Sequence, residues 1–152
     1  MKLALLIATI AVSAAAAADM SGTVTRVTDG DSVVVTIDGG RYTLRLADVD
    51  APELRQAGGV EARAALAGLC LQRPAVAQTL GTDRYGRVRA RLVCGGTDAN
   101  TEQVRAGWAW VYPRAPRSSP LRAVQDEARS AGRGVWSGAP RPPWEWRAEQ
   151  RR

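Results

Sequence analysis

The chain of 152 residues contains no histidine. That absence removes the commonest general base, every histidine-containing metal cluster, and any Ser-His-Asp or Cys-His arrangement. Cysteine is nearly absent as well. Cys70 and Cys94 are the only two, too few to complete a four-ligand zinc site. Lysine is confined to Lys2, so all the other basic residues in the total of 21 are arginine. Any catalysis must therefore draw on carboxylates, arginine, tyrosine and a bound metal that prefers oxygen ligands. No internal repeat and no compositional break marks a second domain, and the length suits one.

The net charge is +6 at pH 7, and it is unevenly spread. Acids and arginines nearly balance through Val104, and arginine far outnumbers acid beyond it. An acidic focus inside a basic protein fits a metal site that handles a polyanion; an arginine-biased composition would raise the isoelectric point in the same way. Residues 1–18 read as a secretory signal: Lys2, an apolar run over 3–12, and Ala16-Ala17-Ala18 ahead of Asp19. A retained N-terminal anchor is the alternative, although the stretch is short for a membrane span. With no cysteine at the cleavage point a lipid anchor is not expected, nor is stable membrane association once the signal is removed. Export, to periplasm or medium, would permit a Cys70–Cys94 disulfide; two buried free thiols is the other reading. A bridge would stabilise the fold by roughly 3 kcal/mol in the chain-entropy model.

What is present in excess is acid over residues 27–53. Asp29, Asp31, Asp48, Asp50 and Glu53 crowd this stretch, with Arg45 among them. Hairpin folding brings its two ends together, and such a concentration of carboxylates is costly unless a cation neutralises it. The expectation is a hard-metal site with a basic residue beside it, which is chemistry for phosphodiesters.

Along the chain, residues 22–28, 32–37 and 41–47 read as three strands of a meander, broken by turn signals at Asp29-Gly30-Asp31 and Asp38-Gly39-Gly40. In the third, Tyr42, Leu44 and Leu46 share one face and Arg41, Thr43 and Arg45 the other. Pro52 makes Asp50-Ala51-Pro52-Glu53 a rigid turn. Residues 60–71 read as a helix with Val60, Leu66, Leu69 and Cys70 inward. Strands follow over 75–80 and 86–93, the second alternating Val88, Ala90 and Leu92 with Arg87, Arg89 and Arg91. Asn100 is placed to cap a short helix, with Gln103 in capping-box spacing. Trp108 to Tyr112 is an extended aromatic segment. Ser119-Pro120 opens a last helix with Leu121, Val124, Ala128 and Ala131 inward. Trp136, Trp144 and Trp146 are expected to pin the tail to the domain. Five short strands with a helix between the third and fourth suggest an α+β fold built on a five-stranded OB-type barrel.

At this point a resemblance emerges. Asp29-Gly30-Asp31, Arg45-Leu46, Asp50-Ala51-Pro52-Glu53, Asp83-Arg84-Tyr85-Gly86-Arg87, Gly107 through Tyr112 and Gly134-Val135-Trp136 resemble, in order and spacing, the thermonuclease (staphylococcal-nuclease-like) family. The resemblance covers residues 19–147 and leaves 148–152 as a basic, disordered tail. It implies an OB-fold barrel with three helices and a monomeric, calcium-dependent nuclease acting on DNA and RNA, leaving 3′-phosphate ends, with no small-molecule cofactor. By position, Asp31, Asp50 and the backbone carbonyl of Ala51 would hold Ca2+, with Asp29 outside them. Glu53 would be the general base. Arg45 and Arg87 would hold the reacting phosphate. Arg84 and Tyr85 would meet a terminal phosphate, and Trp110 and Tyr112 the nucleotide. Trp110 replaces a tyrosine of the family, so a hydroxyl contact there is lost.

Two other classes compete. One is a catalytically inactive module of the same fold that binds nucleic acid; such domains lose the acids or arginines that are all present here. The other is a calcium-stabilised exported module with no nucleic-acid role, for which no recognition feature speaks.

Overall fold

The computed structural model describes residues 19–152; the expected signal segment, residues 1–18, lies outside the described residues. Three strands, β1 (Asp19–Asp29), β2 (Ser32–Ile37) and β3 (Gly40–Leu46), form the meander, and β4 (Val49–Asp50) follows at once. Helix α1 (Gly59–Cys70) leads into β5 (Pro74–Thr82) and β6 (Val88–Cys94). The two-residue β7 (Thr97–Asp98) precedes α2 (Ala99–Arg105), and β8 (Trp110–Val111) precedes α3 (Leu121–Ser130). A 3₁₀ turn (Gly134–Ser137) and α4 (Pro143–Glu149) complete the chain.

Strands β3, β2, β1, β5 and β6 lie side by side in that order, and a parallel β3–β6 pairing closes them into a barrel. Strand β1 belongs to two neighbours: Asp19 to Thr23 pair with β5, and Thr23 to Asp29 with β2. Two register shifts in the β1–β2 ladder bend it around the barrel corner. Gly22 sits where a Cβ would collide with the Thr36 carbonyl, so the corner is tight enough to exclude a side chain. This is the five-stranded OB-type barrel that the sequence suggests.

The core is aliphatic: Val24, Val33, Val35, Leu44, Leu46, Leu66 and Leu92 are all at or near zero exposure. Cys70 and Cys94 are buried within it and form a disulfide that ties the end of α1 to the end of β6.

Four differences from the sequence reading have physical causes. Among the described residues there are four α-helices rather than three, because the Pro-Trp-rich tail itself folds into α4, started by a proline in its first turn; it takes in Ala148 and Glu149 of the expected tail. Val60 is 64% exposed; small residues, Gly59 and Ala62, face inward in its place because α1 lies close on the barrel. Ala131 is exposed, standing after the last turn of α3. Asp98, not Asn100, caps α2, its side chain accepting from Thr101 N–H at 3.0 Å.

Candidate metal and phosphate site

The acidic stretch folds so that Asp31 and Asp50 come from different elements. The turn between β1 and β2 carries Asp31, and Asp29 closes it by accepting the Asp31 N–H at 3.0 Å. Strand β4 carries Asp50. The Asp50-Ala51-Pro52-Glu53 turn then tucks beneath the start of α1, where Gly58 takes a positive φ of 84° and a Cβ on Gly59 would collide with the Glu53 carbonyl. Gly30 is equally confined: a Cβ there would lie 2.7 Å from both Ala51 and Ala62.

Asp31 and Asp50 are 1% and 0% exposed. Arg45, projecting from β3, bridges them: one guanidinium nitrogen pairs with Asp31 Oδ1, and Nη2 donates to Asp50 Oδ1 at 2.7 Å. Ser32 Oγ reaches Asp31 Oδ1 at 3.1 Å, and the Ala51 N–H reaches Asp31 Oδ2 at 2.6 Å. Burial pushes the Asp31 carboxyl well above the usual carboxylate range, against the opposing pull of Arg45. Burial disfavours the Arg45 charge too, but Asp31 and Asp50 outweigh it and hold the guanidinium more firmly protonated than usual.

A second arginine, unforeseen in the sequence, comes from α4. Arg147 Nη2 donates to Asp50 Oδ2 at 2.7 Å, and its Nη1 donates to Glu53 Oε1 at 2.8 Å and to Asp50 Oδ1 at 3.2 Å. Hydrogen bonding to Asp50, then to Glu53, raises its pKa above that of an ordinary arginine, against the cost of burial. Nothing in the spacing of the C-terminal arginines distinguishes Arg147 from its neighbours; only the position of α4 does.

Two buried amides hold the frame. Gln103 Nε2 donates to the carbonyls of Gly30 at 2.7 Å and Ala62 at 3.0 Å, fixing the acidic turn to α1. Asn100 accepts the Leu92 N–H at 3.0 Å and donates to the Ala47 carbonyl at 2.9 Å, fixing the end of β3 to β6. Both residues read as capping signals in the sequence. Their three-residue spacing within a helix that also buries Ala99 and Val104 was the available sign of an inward face.

The remaining expected residues lie in the turn between β5 and β6 and in and just after β8. The turn after β5 carries Asp83, Arg84, Tyr85 and Arg87. Asp83 accepts the backbone N–H of Tyr85 and Arg87 and pairs with Arg87 Nε at 2.7 Å. Slight burial alone would raise the Asp83 pKa, and these bonds bring it below the usual value. Arg87 is thus engaged within its own turn and makes no ion pair with Asp31 or Asp50. Tyr85 is 68% exposed, with the Arg84 guanidinium carbon 4.8 Å and that of Arg87 5.5 Å from its ring centre. In the two-stranded β4–β8 pair Asp50 stands opposite Trp110. Trp110 is buried against Trp136 at a centroid distance of 5.1 Å, whereas Tyr112 is half-buried beyond the end of β8.

A family model described as Staphylococcal nuclease homologue matches residues 43–138, the span that includes Arg45, Asp50, Glu53 and the Asp83–Arg87 turn. The chain belongs to that family. It is 37% identical to a protein named Micrococcal nuclease from Shigella flexneri, over 90% of this chain and 85% of that one. It is 38% identical to an Uncharacterized endonuclease from Escherichia coli, over 86% of each. Protein ParB of Escherichia coli is 36% identical over 98% of this chain and 91% of its own length.

The donor set fits a hard dication in kind: two buried carboxylates, bridged by one guanidinium, with the Ala51 peptide against them. Among the described residues no group of three or more histidine, cysteine, aspartate or glutamate side chains is arranged as metal ligands. A cation here would draw on Asp31 and Asp50, which Arg45 holds together.

Proposed function

We propose that this chain is an exported, calcium-dependent nuclease that hydrolyses phosphodiester bonds of DNA and RNA with little sequence preference, leaving 3′-phosphate ends. The observation that carries the reading is Arg45 spanning two buried aspartates beside Glu53, in a family whose relatives bear nuclease names. A paired, always-charged guanidinium next to buried acid is a poor way to stabilise a core and a good way to receive a phosphate. The Cys70–Cys94 disulfide is in keeping with export to an oxidising compartment.

Asp31, Asp50 and the Ala51 carbonyl would hold Ca2+, which when bound supplies charge neutralisation for the phosphate. Arg45 grips a non-bridging oxygen from the barrel side. Arg87, once it exchanges Asp83 for the phosphate, grips another. Glu53, partly exposed at 39%, accepts the proton of the attacking water. Arg84 and Tyr85, on an exposed turn, meet a neighbouring phosphate, and Tyr112 stacks on a base. Trp110 contributes by backing this surface, since its own ring is covered by Trp136. Such contacts read phosphate and ring, and leave sequence unread.

The test is degradation of plasmid and single-stranded DNA and of RNA by the purified protein, with calcium, then with a chelator, then with calcium restored. Cleavage that disappears and returns supports the enzyme and its metal together. Binding without cleavage would instead identify an inactive nucleic-acid-binding module, and cleavage indifferent to chelation would remove the metal.

A further inference from the structure

In the structure, both oxygens of Asp50 are in use. Oδ1 accepts from Arg45 and Arg147, and Oδ2 accepts from Arg147 at 2.7 Å. Glu53 Oε1 is taken by the same guanidinium at 2.8 Å. A single side chain thus covers both the buried aspartate that would bind the cation and the carboxylate that would accept the proton. Arg45 is built into the barrel through β3. Arg147 arrives from a seven-residue helix at the end of the chain, of which only Pro143 is buried. That helix hangs on few contacts. Gln56 Nε2 donates to the Arg141 carbonyl at 2.6 Å, Trp144 and Trp146 lie only partly covered, and Arg147 itself holds the acids. Elements with so little buried apolar surface detach at low free-energy cost.

We infer that α4 is an intramolecular latch, with Arg147 occupying the acidic site until the cation displaces it. The hydrogen bonds favour exchange over coexistence. Asp50 Oδ2 and Glu53 Oε1 are each taken by Arg147, so a cation that takes these oxygens must displace that guanidinium, while Arg45 keeps its own hold on Asp31 and Asp50 Oδ1. Displacement also frees Glu53, so cation binding and release of the base become one event. The protein is thereby kept from presenting a competent centre where calcium is scarce. This inference rests on the metal reading above.

Two measurements test it, neither requiring turnover. Calorimetric titration with calcium alone should show Arg147→Ala binding the ion more tightly than the unaltered protein, by roughly tenfold, within the usual range of coupling between linked sites. A merely structural Arg147 would give equal or weaker binding. In the unaltered protein, calcium should speed amide hydrogen exchange over residues 143–150, and this difference should vanish in the variant. Arg147→Gln keeps the stem without the charge and carries the same expectation if Arg147→Ala does not fold. Calcium bound equally or less tightly by the variant overturns the latch and leaves the metal reading standing. Calcium bound by neither protein overturns both.

Discussion

At the scale of the residue, the centre depends on charges that would be unfavourable apart. Truncating Arg45 leaves Asp31 and Asp50 buried without their shared partner. Arg45→Met should lower stability by about 3 kcal/mol, seen as a fall in the urea midpoint, with added calcium recovering part of it. As the proposed base Glu53 would act on the attacking water, and with its side chain 39% exposed it adds little to packing. Glu53→Gln should reduce turnover by about 100-fold or more while the melting temperature stays within a few degrees; unchanged turnover would remove Glu53 as the base. Asp31 gives a pH signature in the calcium-free protein. Its pKa is raised by burial, so the folded chain holds that proton more tightly than the unfolded one. The associated stability is present below the ordinary carboxylate pKa and is lost as pH rises through the raised value. Asp31→Asn should flatten that part of the stability–pH curve, measured by urea titration at successive pH values.

Elements decide where those residues meet. Gln103 and Asn100 sit three apart on α2, yet one holds the acidic turn and the other holds β3 to β6. Gln103→Leu and Asn100→Ala should each cost about 1–3 kcal/mol through carbonyls or amides left unpaired. Only Gln103→Leu should also weaken calcium binding in a titration, because Gly30 lies inside the acidic turn. Much at this scale was legible in the sequence. The alternation of Leu44 and Leu46 against Arg45 placed β3, and the turn signal at Asp29-Gly30-Asp31 placed the hairpin, because a period of two and a glycine turn are local properties. What α1 buries was not legible. The inward choice of Gly59 and Ala62 over Val60 is set by how closely the helix approaches Glu53 and Gly30, which is a tertiary distance. For the same reason Asn100 resembled a cap: its partners, Leu92, Ala47 and Ala90, are adjacent only once the barrel closes. Arg147 was the furthest from reach, since its contacts with Asp50 and Glu53 span more than ninety residues of chain.

For the molecule as a whole, the barrel is small and has one covalent cross-link. The Cys70–Cys94 bridge spans 24 residues of sequence, so reduction, or replacement of both cysteines by alanine, should lower stability by about 3 kcal/mol. A denaturant midpoint unmoved by reductant would show that the bridge contributes nothing. The same bridge has a consequence for cleavage of the chain itself. The turn that carries Arg84 and the exposed Tyr85 lies inside the covalent loop, opposite the disulfide that closes it. A protease cutting after Arg84 would produce two pieces that stay covalently joined until a reductant cuts the bridge. The amino-terminal piece would keep Asp31, Arg45, Asp50 and Glu53, and the carboxy-terminal piece Arg87, Tyr112 and Arg147. A single backbone cut would thus divide the acidic centre from Arg87, Tyr112 and Arg147, with the disulfide as the one covalent link between the halves and the β5–β6 and β3–β6 pairings holding their register.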